Sequence, residues 1–416
     1  MAEVLVPARL GRGFRWLLGS SWSSNLGDGI ALAAGPLLVA SQTDDAFLVA
    51  LAALLQRLPW LCFGLFAGAL ADRVDRRLIV ITVDVLRAVT LALLALMIMT
   101  GAVNIGVVLA VMFVLGTAET FADVTTATLM PMIVARDDYG AANTRLLGST
   151  IVANQLAGPP IGAALFAAGM AVPFVTHAVT MALAALLLSR LVIDRPVVAS
   201  GERQPIRREI ADGIRWLWAH RNVRTLALTI VSFNVTYGAA WSVLVLYATE
   251  RLDMGEIGFG LLTTATALGG VVGIGLYGWL TARVSLANVM RGGLVIETAT
   301  HLALALTTAP WVALVVMFVF GAHAFVWGTT SVTVRQRAVP SAFQGRVDSA
   351  YKLGVYAGLV VGGAIGGVLA DAFGVLAPFW FGFVGSAVIL ALIWRELVHI
   401  AHADDAAMAD VAAPAG

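Results

Sequence analysis

Apolar residues in this chain come in long blocks separated by short polar stretches. The blocks fall at 14–40, 46–70, 78–100, 104–131, 146–169, 172–192, 223–248, 258–281, 287–308, 310–333, 350–371 and 375–397. A helix that crosses a bilayer needs about 20 mostly apolar residues, and each block is long enough to supply one. The pattern predicts twelve transmembrane helices, an even number that places both termini on one side. The fifth and sixth blocks are divided only by "GMAVP". Between the sixth and seventh the pattern changes to a polar segment, 193–222. Its second part, Ile206 to Ala219, spaces Ile210, Ile214, Trp216 and Leu217 for an amphipathic helix on the membrane surface.

That segment divides six spans from six. The expected organisation is a six-helix bundle at 1–192, a central loop with its amphipathic helix at 193–222, a second six-helix bundle at 223–398 and a tail at 399–416. The halves resemble each other. "GALADRV" (68–74) aligns with "GWLTARV" (278–284) at an offset of 210, with Asp72 replaced by Ala282. "GPPIGAAL" (158–165) aligns with "GGAIGGVL" (362–369) at an offset of 204, and "PF" follows in both. Two separate pairs keeping their order argue against chance similarity of small-residue helices. Repeated six-helix halves imply a transporter with a site near the midplane.

Composition agrees. At 60% hydrophobic, 12% charged and mean hydropathy +0.90, the chain is far too apolar for a soluble protein. Soluble chains average about 45–50% apolar and about 25% charged. A net charge of +1 gives no case for nucleic-acid binding. The single cysteine, Cys62, excludes an internal disulfide and any cysteine-based metal cluster, and no cofactor motif is present. Arg9, Arg12 and Arg15 cluster at the start of the first apolar block, but no small-residue cleavage site follows and Asp28 interrupts the run, which predicts an uncleaved first helix.

Loop charge sets the expected orientation. Arg73, Arg76 and Arg77 follow span two; Arg136 and Arg145 follow span four; Arg195, Arg203, Arg207, Arg208, Arg215 and Arg221 fill 193–222. Arg283 joins spans eight and nine, and Arg335, Arg337 and Arg346 flank the loop between ten and eleven. The opposite loops carry Asp44, Asp45, Glu250, Asp253 and Glu256, with Arg251 their only clear basic residue. The positive-inside rule then puts both termini and the central loop in the cytoplasm. Lys352 is the only lysine, a bias towards arginine that suggests a GC-rich bacterial genome and so a bacterial plasma membrane.

"GALADRVDRR" resembles the loop 2–3 signature of the major facilitator superfamily, G-x-L-A-D-R-x-G-R-R, through Gly68, Leu70, Ala71, Asp72, Arg73, Arg76 and Arg77. Asp75 stands where glycine is usual, as in the branch holding enterobactin exporters and macrolide efflux proteins. "VRQRAVPSAFQGRVDSAYK" (334–352) is similar to the same branch, with Gln336, Arg337, Pro340, Gly345, Arg346 and Val347 in place. "AGPPIGAAL" resembles the glycine-proline signature of drug antiporters. The resemblance covers both halves. It implies an all-α membrane protein of two pseudo-symmetric six-helix bundles, with spans one, four, seven and ten lining a cavity and the loop 2–3 motif gating it. Each signature also has a plain structural reading. The loop is then a topogenic charge cluster. In span five, Pro159 and Pro160 bend the helix while Gly158 and Gly162 give a close-packing face.

Charges inside the spans are expensive and call for partners or functions. Asp28 lies about 18 Å, and Arg57 about 20 Å, from the same membrane surface at the helical rise per residue. The matching depths predict an Arg57–Asp28 pair, either structural or part of the coupling. Glu119 and Asp123 lie one turn apart in span four, which has no basic residue of its own. Two such carboxylates cannot both ionise cheaply, which suits a proton carrier, with Glu119 favoured. The alternative pairs Asp123 with Arg87 or the loop arginines. Asn234, Tyr237 and Trp241 in span seven, with His323 and Trp327 in span ten, suit a cavity for a large amphipathic molecule, or simply helix packing. Glu297 and His301 repeat the one-turn spacing in span nine, and His177 reads as a satisfied structural histidine.

The expected function is proton-coupled export of hydrophobic or amphipathic small molecules, of drug or siderophore type, by a monomer alternating access between its halves. The partners are substrate, protons and lipid. An importer of the same fold is the alternative, and a transport-incompetent sensor or scaffold would not need the buried carboxylates. No nucleotide loop, metal cluster or nucleophile constellation points to an enzyme, and the energy must come from a gradient.

Overall fold

The structure, a computed structural model, describes residues 10–71, 74–135, 138–192, 206–339 and 344–401. Those residues form helices and connecting turns, with no strand among them. Spans one to four become α1 (Gly11–Gln42), α2 (Ala46–Ala71), α3 (Arg76–Met99) and α4 (Ile105–Ile133). Span five is α5 (Tyr139–Ser149), a π-helical stretch (Thr150–Ala157) and α6 (Gly158–Ala168); span six is α7 (Val172–Leu188). The amphipathic segment is α8 (Ile206–Ala219), and span seven is α9 (Arg221–Trp241) continued by Leu244–Arg251. Spans eight to twelve are α10 (Gly255–Thr281), α11 (Leu286–Leu306), α12 (Pro310–Ala338), α13 (Gln344–Phe373) and α14 (Ala377–Ile393).

Every apolar block thus coincides with a helix. Eight of these helices are long and apolar enough to cross a membrane unaided, or nine when α9 and Leu244–Arg251, bent by 46°, count as one span. The apolar helices α7 and α14 are shorter, at 17 residues each. Helix starts follow local chemistry. Asp75 caps α3 by accepting from the backbone N–H of Arg77 at 2.9 Å, and Asn104 caps α4 through Val107 at 3.1 Å. Pro173, Pro310 and Pro378 sit in first turns, where a missing N–H costs nothing.

The chain forms two compact units, Met1–Glu202 with Asp253–Thr264, and Arg203–Leu252 with Ala265–Gly416. In the first, α1 packs on α6 and α7, α3 on α4 and α7, and α2 on α4. In the second, α9 packs on α13 and α14, α11 on α12 and α14, and α8 on α13. Helix α3 shows the polarity that a lipid solvent demands. It buries Asp84 and Arg87 and turns Val85, Leu86, Val89 and Leu93 outward.

The repeated glycine motifs do the same job in both units. A Cβ at Gly162 would strike the backbone of Ile30, and one at Gly366 the backbone of Ala239, so α1–α6 and α9–α13 approach backbone to backbone. The prolines of "GPPIG" act through what they lack. With no N–H at Pro159 and Pro160, the preceding turns widen to π spacing, and Gly158 N–H reaches back to Ala153 C=O. The expected distortion of span five therefore takes the form of a π-helical stretch.

Candidate functional site

Serines and one asparagine tie α1 to its neighbours. Ser20 donates to Ala184 C=O at 3.0 Å, Ser23 to Thr180 C=O at 2.7 Å, and Asn25 to Ser149 Oγ at 3.4 Å. Asp28 follows on this polar stretch, between Gly27 and Gly29. A Cβ at Gly27 would collide with the His177 ring, so the glycine is what lets α7 bring that ring to the carboxylate. His177 Nε2 stands 3.3 Å from Asp28 Oδ1, and Arg87 Nη2 of α3 pairs directly with the same oxygen. The partner of Asp28 is Arg87, not Arg57. Depth along a helix had matched Arg57, but depth does not fix which face a side chain occupies, and α3 and α7 supply the groups that reach Asp28. Arg57 stands on α2, and among the described residues no ion pair joins it to Asp28.

Arg87 is the hub of a larger group. Asp84, one turn earlier, has Oδ1 3.9 Å from Arg87 Nη1, and Glu119 and Asp123 of α4 face the same space. Asp28, Asp84, Arg87, Glu119 and Asp123 all line one cavity of about 760 Å³ within the first unit. Hydroxyls and amides of Ser21, Asn25, Asn143 and Asn154 share that lining with Leu17, Val80 and Met130. Four carboxylates and one guanidinium face a single space.

In the second unit Asn234, Tyr237, His323 and Trp327 line a cavity of about 280 Å³ together with Glu297. Trp241 does not line it. Its ring lies behind, 4.5 Å from Tyr237, 4.7 Å from Phe320 and edge-on to His301 at 5.9 Å. The loop 2–3 motif is seen in part. Gly68 lies near the end of α2, Asp72 and Arg73 lie outside the described residues, and Arg76 and Arg77 open α3. Arg77 donates to the carbonyls of Leu188 and Ser189 at the C-terminal end of α7, where a cation suits the unpaired carbonyls. Of the antiporter-like motif, Gly158 meets Gly29 and Gly162 meets Ile30, while Pro159 and Pro160 begin α6. Arg346, from the other branch-like motif, has Nη1 3.8 Å from Asp212 of α8.

Arg87, Asp84, His177 and Glu297 were missing from the expected site. The signal was present, since each is a polar group inside an apolar block, but three of them stand on spans three and nine, outside the four helices the family resemblance singles out.

Residues 4–414, nearly the whole chain, match the family model MFS_3, transmembrane secretion effector. The chain belongs to that family. It is a multi-pass membrane transporter of the major facilitator superfamily, not an enzyme. This MFS_3 transporter is 28% identical over 380 residues to the multidrug efflux pump Tap of Mycolicibacterium fortuitum, covering 87% of this chain and 90% of that one. It is also 28% identical over 406 residues to Tap of Mycobacterium tuberculosis, covering 94% of each. Among solved structures, a bacterial homologue of the iron transporter ferroportin in its inward-facing state aligns with a TM-score of 0.73 at 16% identity, over 94% of this chain and 98% of that one. The nucleoside transporter NupG aligns at 0.71 and 14%, over 96% and 99%. At such identities these two share the fold alone.

Proposed function

We propose that this MFS_3 transporter is a proton-coupled exporter of amphipathic small molecules of the drug type, working by alternating access between its two six-helix halves. The observation that carries the reading is the excess of carboxylates over guanidinium in the first-unit cavity. In a poorly hydrated site such an excess is relieved by protons, and protons that enter and leave can be coupled to transport. The likeness to Tap along almost the full chain supports the direction and the drug type. Glu119 is the proposed proton carrier with Asp123 beside it, and Asp28 is held by Arg87 and His177 as the fixed charge against which they act. The mixed lining of the cavity, with Leu17 and Met130 beside Asn25 and Asn154, favours the amphipathic over the purely hydrophobic substrate. Both termini are proposed to be cytoplasmic in the plasma membrane, and the monomer to be the working unit.

Glu119→Gln tests the reading, because the amide keeps the shape and hydrogen-bonding capacity of the protonated acid. In everted vesicles the variant should bind substrate but lose uncoupler-sensitive efflux. Transport with the wild-type pH profile would move the proton path elsewhere, with Asp28 next in line. Uptake driven in the opposite sense would make the protein an importer.

A further inference from the structure

The proposed cycle uses the carboxylates of the first unit and leaves one buried charge of the second without a task. Glu297 of α11 is 7% exposed. Its Oε2 lies 2.9 Å from His323 Nε2 of α12, and its Oε1 lies 3.7 Å from His301 Nε2, one turn along α11. Nδ1 of each histidine has no hydrogen-bond partner among the described residues. With both rings neutral the cluster carries one negative charge, and among the described residues the two histidines are the only ionisable groups paired with Glu297. The groups facing it from neighbouring elements agree with that count. Helix α14 contributes no titratable residue, and α9 contributes Tyr237 and the indole of Trp241. The nearest cation on α12, Arg335, lies about 18 Å further along the helix and stacks over the Tyr351 ring at 3.5 Å. Glu297 stands 210 residues after Arg87, the offset that relates "GALADRV" to "GWLTARV". The repeated position is a cation in one half and an anion in the other.

A buried charge of this kind needs a counter-charge. The second-unit cavity offers room for one. Glu297 and His323 form its polar wall, and Phe233, Tyr237, Phe320 and Trp327 form an aromatic one. Tyr237 and Phe320 stack at 5.7 Å and 8°. A carboxylate beside aromatic faces is the chemistry that recognises an organic cation, by charge and by cation–π attraction together. We propose that this cavity is a binding site for a small organic cation, a quaternary or protonated amine on an apolar or aromatic body, with Glu297 as the residue that selects its charge. A proton on the Glu297–His301–His323 cluster neutralises the same charge, so protons and the cation compete there. The proposal rests on reading this cavity as substrate-facing.

The test needs no gradient, which separates it from the export reading. Purified full-length protein in lipid nanodiscs is titrated with radiolabelled benzyltrimethylammonium, a permanent cation. Unlabelled cation and neopentylbenzene, its neutral carbon isostere, serve as competitors. Saturable binding should be displaced by the cation and not by the isostere. It should weaken as pH is lowered from about 8 to about 5.5, because a proton on the cluster removes the charge that the cation pairs with. Glu297→Gln should lower affinity about tenfold or more and flatten the pH dependence. No saturable binding, equal displacement by neopentylbenzene, or unchanged affinity in Glu297→Gln overturns the site. If Glu297→Gln does not fold, the isostere comparison on wild-type protein decides alone. Binding without export in vesicles would support the site and remove the transport reading.

Discussion

Arg87 and Asp28 are each other's reason for being in the membrane. A guanidinium 3% exposed is tolerated because Asp28 pairs with it and Asp84 stands 3.9 Å away, and Asp28 gains a fixed cation in return. Arg87→Ala should therefore destabilise the protein by about 3–5 kcal/mol, the usual cost of leaving a buried charge alone. Adding Asp28→Asn to it should recover part of the loss. A double-mutant cycle on thermal unfolding in detergent checks this, and additive effects would mean the two side chains do not interact. The same pair shows what the sequence leaves open at this scale. Counting residues places Asp28 and Arg57 at one depth, and the depth is sound, but a helix of 3.6 residues per turn presents every depth on several faces. Only the packing of α1 and α3 against α7 brings Arg87 and His177 to Asp28.

Helices and their ends were far easier to read, because long apolar blocks, proline in first turns and side chains that cap backbone N–H groups are local signals. Asp75 is an example of a departure with a local cause. It replaces the glycine usual in the loop motif and caps α3, so Asp75→Ala should cost about 1 kcal/mol of stability while Asp75→Gly costs only a few tenths. The repeat of "GPPIGAAL" and "GGAIGGVL" likewise encodes an interface. Gly162→Val and Gly366→Val should both reduce the yield of folded protein, because the added carbons meet the backbones of Ile30 and Ala239. Gly148→Ala, with nothing within 4 Å, should leave yield unchanged or raise the melting temperature slightly. Size-exclusion profiles of the tagged variants distinguish these outcomes. The bend after Trp241 was not legible, since the apolar block 223–248 runs through it without a proline or glycine at the break.

Across the whole molecule, one scaffold is used twice with different charges. The first unit gathers carboxylates around Arg87, whereas the second holds Glu297 among histidines and aromatic rings. The repeat was visible from aligned motifs, but the polarity of each cavity was not, because it depends on which helix faces turn inward. Orientation in the membrane is the matching question at this scale, and loop charge answers it with a definite expectation. Arginines crowd 72–77, 193–222 and the helix ends that flank the loop joining α12 to α13, while Asp44, Asp45, Asp253 and Glu256 lie in the alternate loops. Cationic loops resist translocation, so the arginine-rich side should be cytoplasmic. Cys62, the only native cysteine, can be replaced by alanine to give a clean background. Single cysteines at Arg207 and Arg337 should then be shielded from a membrane-impermeant maleimide in whole cells and react in everted vesicles. Cysteines at Asp45 and Asp253 should show the reverse. Labelling of the Arg207 position from outside would invert the whole assignment and move the Asp72–Arg77 loop to the outer face. There it could not gate access from the cytoplasm, and Asp72→Asn would lose its expected effect on transport.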